Sequence, residues 1–139
     1  MLGVATVLVI SMIAVALPFR TSLVHALKLA TTHQPERFSE LYFAQPDMLP
    51  KNLHIGEIAD VGFVVTNHED EQHTYRYQVV FMLDGQAMAT RTGAFTLEDQ
   101  QSTTQKVTIP AQSTPGQLQI IIRLVDKDQT IHFRTEISL

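Results

Sequence analysis

Two hydrophobic periods divide the chain. From Leu2 to Phe19 it reads LGVATVLVISMIAVALPF without one ionisable side chain. As a helix rising ~1.5 Å per residue, that run would be about 27 Å long, close to the hydrocarbon thickness of a bilayer. A core helix in a small soluble domain normally keeps one polar face, so a run apolar on every side predicts insertion into lipid or into a bundle of like helices. On a helical wheel Leu23, Val24, Leu27 and Ala30 gather on one side, with His25 and Lys28 on another, which predicts a short amphipathic extension over 20–31. That extension reads either as a stalk lying on lipid or on the folded domain, or as a helix packing against other subunits with a kink at Pro18. Pro35 disfavours helical geometry at the residue before it and ends the element.

Beyond Pro35 the period falls to two. Branched and aromatic residues recur in short runs separated by turn residues, which predicts strands at Phe38 to Ala44, Ile58 to Thr66, Thr74 to Leu83, Ala87 to Thr92, Gln101 to Ile109, Gln117 to Val125 and Thr130 to Ser138. In Tyr75, Tyr77, Val79 and Phe81 every second residue is large, as one buried face requires. Asp84 and Gly85 predict a primed hairpin turn, Asp126 to Asp128 a second tight turn, and Pro110 to Gly116 a longer polar loop. The expected fold is mainly β: an Ig-like antiparallel sandwich of about seven strands over 36–139, preceded by one long hydrophobic α-helix in a 1–35 unit.

Composition sharpens the division. Of the charged residues only Arg20 and Lys28 precede Glu36, a balance of +2, whereas eight basic and fourteen acidic residues lie beyond Pro35, a balance of −6. The net charge of −4 argues against affinity for nucleic-acid phosphates. Cysteine and tryptophan are absent, so disulfides, thiolate metal sites and the core Trp of antibody domains are excluded, and the sandwich must hold by aliphatic, Phe and Tyr burial. Ala14 to Ala16 resemble a signal-peptidase site, yet no cation precedes the apolar run, and a retained anchor is the expectation. By the positive-inside rule Arg20 and Lys28 alone would place the C-terminal part in the cytoplasm, although two charges carry little weight.

A resemblance rests on motif residues. Phe38, Glu40, Leu41 and Tyr42, then Leu49 and Pro50, Gly56 and Glu57, the triplet Asn67, His68 and Glu69, and finally Tyr75 resemble the C-terminal module of a membrane-protein family, domain of unknown function 1616. The likeness spans about Phe38 to Leu83 and weakens over the later hairpins. It implies a module carried outside a membrane on hydrophobic segments, and it implies no activity. Longer members of that family have more than the single apparent span seen here, so the chain reads either as a minimal complete form or as the end of a longer one.

The candidate chemistry sits in one loop. Asn67, His68, Glu69, Asp70 and His73 place oxygen and imidazole ligands close together, although without the spacing of a calcium loop. A solvated acidic hairpin, a partner contact and a divalent-ion site are the three readings, and neither a metal nor a cofactor is expected. No nucleophile elbow, phosphate-cradling loop or H-E-x-x-H pair occurs, so catalysis is not expected. The functional expectation is a single-pass cell-envelope module with residues 2–19 in lipid and the β-domain on the extracytoplasmic side, against the vote of Arg20 and Lys28. It would bind an envelope protein or glycan or be displayed structurally. The alternative is a pilin-like or archaeal-flagellin-like subunit of an extracellular filament. A homo-oligomer fits either reading.

Overall fold

The computed structural model describes residues 36–139, so the expected helix over 2–19 and its extension over 20–31 lie outside the described residues. Strands form where the two-residue period is clean. They are β1 (Phe38–Phe43), β2 (Asn52–His54), β3 (Ala59–His68), β4 (His73–Leu83), β5 (Gln86–Leu97), β6 (Ser102–Ile109), β7 (Gly116–Leu124) and β8 (Gln129–Ser138), with a single 3-10 turn at Pro46–Met48. The domain is mainly β, with its strands in two sheets: three strands ordered β1-β3-β6, and five ordered β2-β8-β7-β4-β5.

The inward faces meet between the sheets. Val61, Phe63 and Val65 of β3 and Val107 and Ile109 of β6 are buried against Tyr75, Val79 and Phe81 of β4 and Leu118, Ile120, Ile122 and Leu124 of β7. Phe63 meets Tyr77 edge to face at 5.2 Å, and Phe43 meets Phe133 at 5.4 Å, so aromatic contacts couple the two layers. Each such pair adds about 0.5–1.5 kcal/mol beyond its buried area. Outward residues of the same strands, such as Thr74 and Arg76, face water.

The described residues form eight strands where seven are expected. The extra one, β2, pairs parallel with β8 through Asn52 with Glu136, Leu53 with Ile137 and His54 with Ser138, so the larger sheet is mixed rather than wholly antiparallel. Its single inward residue, Leu53, is buried, and one apolar position in three carries no period to read. Strand β5 runs to Leu97, five residues past the expected Thr92, and Gly93, the first residue beyond that expected end, fills a packing role. Gly93 pairs with Tyr77 across the ladder, and a Cβ there would run into the Tyr77 ring. An aromatic side chain lying over a strand glycine covers the backbone that the glycine leaves bare.

Turn chemistry agrees with expectation. Asp84 at φ 48° and Gly85 at φ 82° make the primed hairpin, and the Asp84 carboxylate accepts the Gln117 amide at 2.9 Å. Asp128, at φ 50°, occupies the left-handed position of the β7–β8 turn.

Three strands cannot cover five, and at β5 the inner face is closed by a charged side chain. Arg91 lies opposite Val79, its guanidinium carbon 5.5 Å from the centre of the Phe81 ring and its Nη1 donating to the Thr108 carbonyl of β6 at 2.9 Å.

Because the Tyr77 ring is held by Phe63, a methyl group at position 93 displaces a packed contact. Gly93→Ala is therefore expected to lower unfolding stability by about 1–3 kcal/mol, the usual range for overpacking. In a Tyr77→Leu background the same change should have less effect. A double-mutant cycle by urea denaturation measures that coupling.

Candidate functional site

The loop from Asn67 to His73 lies at the end of the domain where the described chain enters, since β1 starts at Phe38 opposite His68 and runs away from it. Asn67, the penultimate residue of β3, is wholly buried. Its amide nitrogen donates to the carbonyls of Glu71 at 2.8 Å and Leu97 at 3.0 Å, and its side-chain oxygen accepts the Glu69 amide at 2.9 Å. One side chain thus ties the β3–β4 turn to the end of β5. An asparagine suits this place because it offers donors and an acceptor from a short stem.

Glu69 sits behind that turn in a polar cluster. Its Oε1 accepts from the Ser39 hydroxyl at 2.8 Å and lies 2.7 Å from Lys127 Nζ, and the Ser39 hydroxyl also bonds the Tyr75 phenol at 2.7 Å. The Lys127 ammonium holds the Glu69 carboxyl below its ordinary range, opposed by burial and assisted by Ser39. Burial, the largest influence, raises the Tyr75 phenol, with Ser39 working against it. Gln129 Nε2 donates to the Ser39 carbonyl at 2.8 Å, joining β8 to β1. His73 packs edge-on against Tyr75 at 4.6 Å, and its Nε2 is buried without a hydrogen-bond partner among the described residues.

The five candidate residues therefore separate. Asn67 and Glu69 belong to internal hydrogen-bond networks and His73 packs on the Tyr75 ring, whereas His68 and Asp70 turn outward. His68 stacks near Phe38 at 4.6 Å, bonds Gln100 at 3.0 Å and stands 3.4 Å from Glu40. Asp70, at φ 62°, pairs with Arg37 at 3.6 Å, and its amide donates to Asp99 at 3.0 Å. Among the described residues no group of three His, Asp or Glu side chains could hold a metal ion. The arrangement locks a loop, and its carboxylate and phenol have internal partners.

The sequence does not single out Ser39, Lys127 or Gln129 as parts of this site. Ser39 shares inward parity with Leu41 and Phe43, and a small polar residue at a core position is the one local signal that a buried partner exists. A second feature, unmarked in the sequence, is a groove of about 440 Å³ lined by Arg76, Tyr77, Thr92, Gly93, Ala94 and Val125. Arg76 at its border is clamped by Asp126, with Nη2 2.6 Å from Oδ1, which lowers the Asp126 carboxyl. At the opposite end of the domain from Glu36, Met48, Ile58 and Leu139 are exposed at 74%, 63% and 92%.

No protein-family model matches the chain. No curated protein matches it either. Solved structures share the fold. A β-glucosidase from Listeria innocua in complex with glucose is similar over 74% of this chain and 16% of its own, at 18% identity and a TM-score of 0.58. The CARDB domain of the PF1109 protein from Pyrococcus furiosus, in complex with di-metal ions, is similar over 76% of this chain and 94% of its own, at 12% identity and a TM-score of 0.54. A Pseudomonas fluorescens alkylpurine DNA glycosylase, AlkC, bound to DNA containing an abasic site analogue is similar over 73% of this chain and 30% of its own, at 9% identity and a TM-score of 0.56. At these identities the likeness is one of fold. The chain spans about a sixth of the length of the β-glucosidase, 16%.

This geometry has two measurable outcomes. Asn67→Ala removes one buried and two partly buried hydrogen bonds and leaves backbone groups unpaired, so it should destabilise the domain by about 2–4 kcal/mol in chemical denaturation. Because the Glu69 carboxyl is held below its ordinary value when folded, its contribution is complete above the unfolded value and is lost as pH falls through the folded one. Stability of the Glu69→Gln variant should accordingly fall less than that of the parent between roughly pH 5 and pH 3, tracked by urea midpoints at each pH.

Proposed function

We propose that this chain is a membrane-anchored module of the cell envelope, with an Ig-like β-domain on the extracytoplasmic side that works by contact with an envelope protein or glycan rather than by catalysis. The observation that carries the reading is the run from Leu2 to Phe19, which has no ionisable side chain in a chain with twenty-four charged residues. A helix of that composition is at home in hydrocarbon. Among the described residues no helix is long and apolar enough to cross a membrane.

Strand order supports the Ig-like part. Strands β1, β3 and β6 face β8, β7 and β4, the A-B-E against G-F-C arrangement of such sandwiches, with β5 beside β4 in the place of an added C′ strand. The motif resemblance to the module of domain of unknown function 1616 points the same way. That the β-glucosidase carries this fold as a minor part of a much longer chain is in keeping with an accessory role. We assign the contact surface to the end remote from Glu36, where Met48, Ile58 and Leu139 leave apolar surface in water.

The test is fractionation of cells expressing the full chain. The protein should sediment with membranes, resist high-salt and alkaline extraction, and dissolve only in detergent. Ile10→Arg with Ile13→Arg should release it, since each arginine at mid-helix disfavours insertion by about 2.5–3.5 kcal/mol. A parent chain recovered as a dissolved monomer overturns the reading. The same apolar run would also suit a filament subunit whose helices bundle, and electron microscopy of the native material separates the two by the presence of extended polymers.

A further inference from the structure

We propose that β5 is a self-pairing edge, through which two copies of this chain join antiparallel about a two-fold axis at Thr92 and merge their larger sheets. The proposal concerns the described domain and does not depend on the membrane reading.

Four strands lie at sheet rims, and three are guarded. Strand β2 has only three residues. The β1 edge faces β8, whose Gln129 takes the Ser39 carbonyl. The β6 edge is engaged by Arg91, which takes the Thr108 carbonyl. Strand β5 is the longest of all at twelve residues, and among the described residues no strand pairs with its outer edge. It contains no proline, and Arg91 is its single charge, so it lacks the devices that usually blunt an exposed edge. An inward charge on an edge strand discourages pairing when its head group would lose water without a partner. Here the Arg91 guanidinium already has one, over Phe81 and on the β6 carbonyl.

The sequence of the edge selects a second copy and a register. Thr90, Thr92 and Ala94 lie opposite Val80, Gln78 and Arg76 on the outer face of the sheet, while Arg91, Gly93 and Phe95 lie on the inner one. A two-fold axis perpendicular to the sheet keeps these faces, so even positions oppose even and odd oppose odd. Centring it on Arg91 would set two guanidinium groups directly opposite each other, which is destabilising. Centring it on Gly93 would put two glycines in the middle and no side-chain pair. Centred on Thr92, the register pairs threonine with threonine, sets Arg91 against Gly93, which has no side chain, and sets Thr90 against Ala94. It ends at Ala89 and Phe95, short of the irregularity between Phe81 and Met82 on the neighbouring strand. Seven paired residues span about 23 Å, a strand contact of ordinary length.

The chain contains no cysteine, so crosslinking starts without background. The experiment uses the full chain in detergent. Directly opposed residues in such a ladder have Cα atoms about 4.5–5.5 Å apart, within disulfide reach. Oxidised Thr92→Cys should give a covalent dimer on a denaturing gel. Thr90→Cys and Ala94→Cys should link efficiently only when the two variants are mixed, and Thr104→Cys, on the other sheet, should not link. Thr92→Lys, which opposes two like charges, should shift the sedimenting species from dimer to monomer, while Thr92→Ser should not. The proposal is overturned if Thr104→Cys links as well as Thr92→Cys, or if a folded Thr92→Lys chain keeps the parent mass. If Thr92→Lys fails to fold, the cysteine series decides alone.

Discussion

A three-stranded sheet has to shelter the inner face of a five-stranded one, and much of the structure answers that mismatch. Where the layers overlap, aliphatic and aromatic side chains fill the gap without disulfide or tryptophan, and Phe63 against Tyr77 marks the seam. Where they do not, other chemistry takes over. Arg91 lays its guanidinium on Phe81 and reaches the opposite sheet, and Tyr77 spreads over the bare backbone at Gly93. Both solutions lie at β5, a rim strand of the larger sheet whose outer edge no described strand shares.

The end of the domain at Asn67 meets a different demand. A turn between sheets exposes backbone donors and acceptors inside the protein, and each must find a partner. Asn67 supplies several at once, and the ion pair of Glu69 with Lys127, bridged through Ser39 to Tyr75, ties β1 and the β7–β8 turn to the same point. A half-buried ion pair of this kind serves chiefly to fix geometry, because desolvation offsets much of its attraction.

Strands with a regular period could be read directly from the chain. Those at β3, β4, β6, β7 and β8 begin and end within two residues of expectation, since their alternating large residues leave only one face to bury. Strand β2 was hidden because three residues cannot show a period, and the far half of β5 because a glycine looks the same in a sequence whether it breaks a strand or admits a ring. The loop at Asn67 was conspicuous for its polar side chains, but their partners were not. Ser39 and Glu69 lie thirty residues apart, so only the pairing of β1 with β3 brings them together. A dense set of ligand-type residues can therefore be a lock whose other half is encoded elsewhere.

The parallel contact of β2 with β8 has a bearing on how the domain is made. Leu53 emerges early during synthesis, yet the strand that hydrogen-bonds it is among those completed latest, and a tight hairpin cannot substitute for that partner. Until Glu136 to Ser138 have left the ribosome, the segment around Leu53 has no neighbour in its sheet. Closure of that rim is thus a late, non-local event on the folding path, and nascent chains halted short of it would leave β2 undocked on an otherwise assembled body.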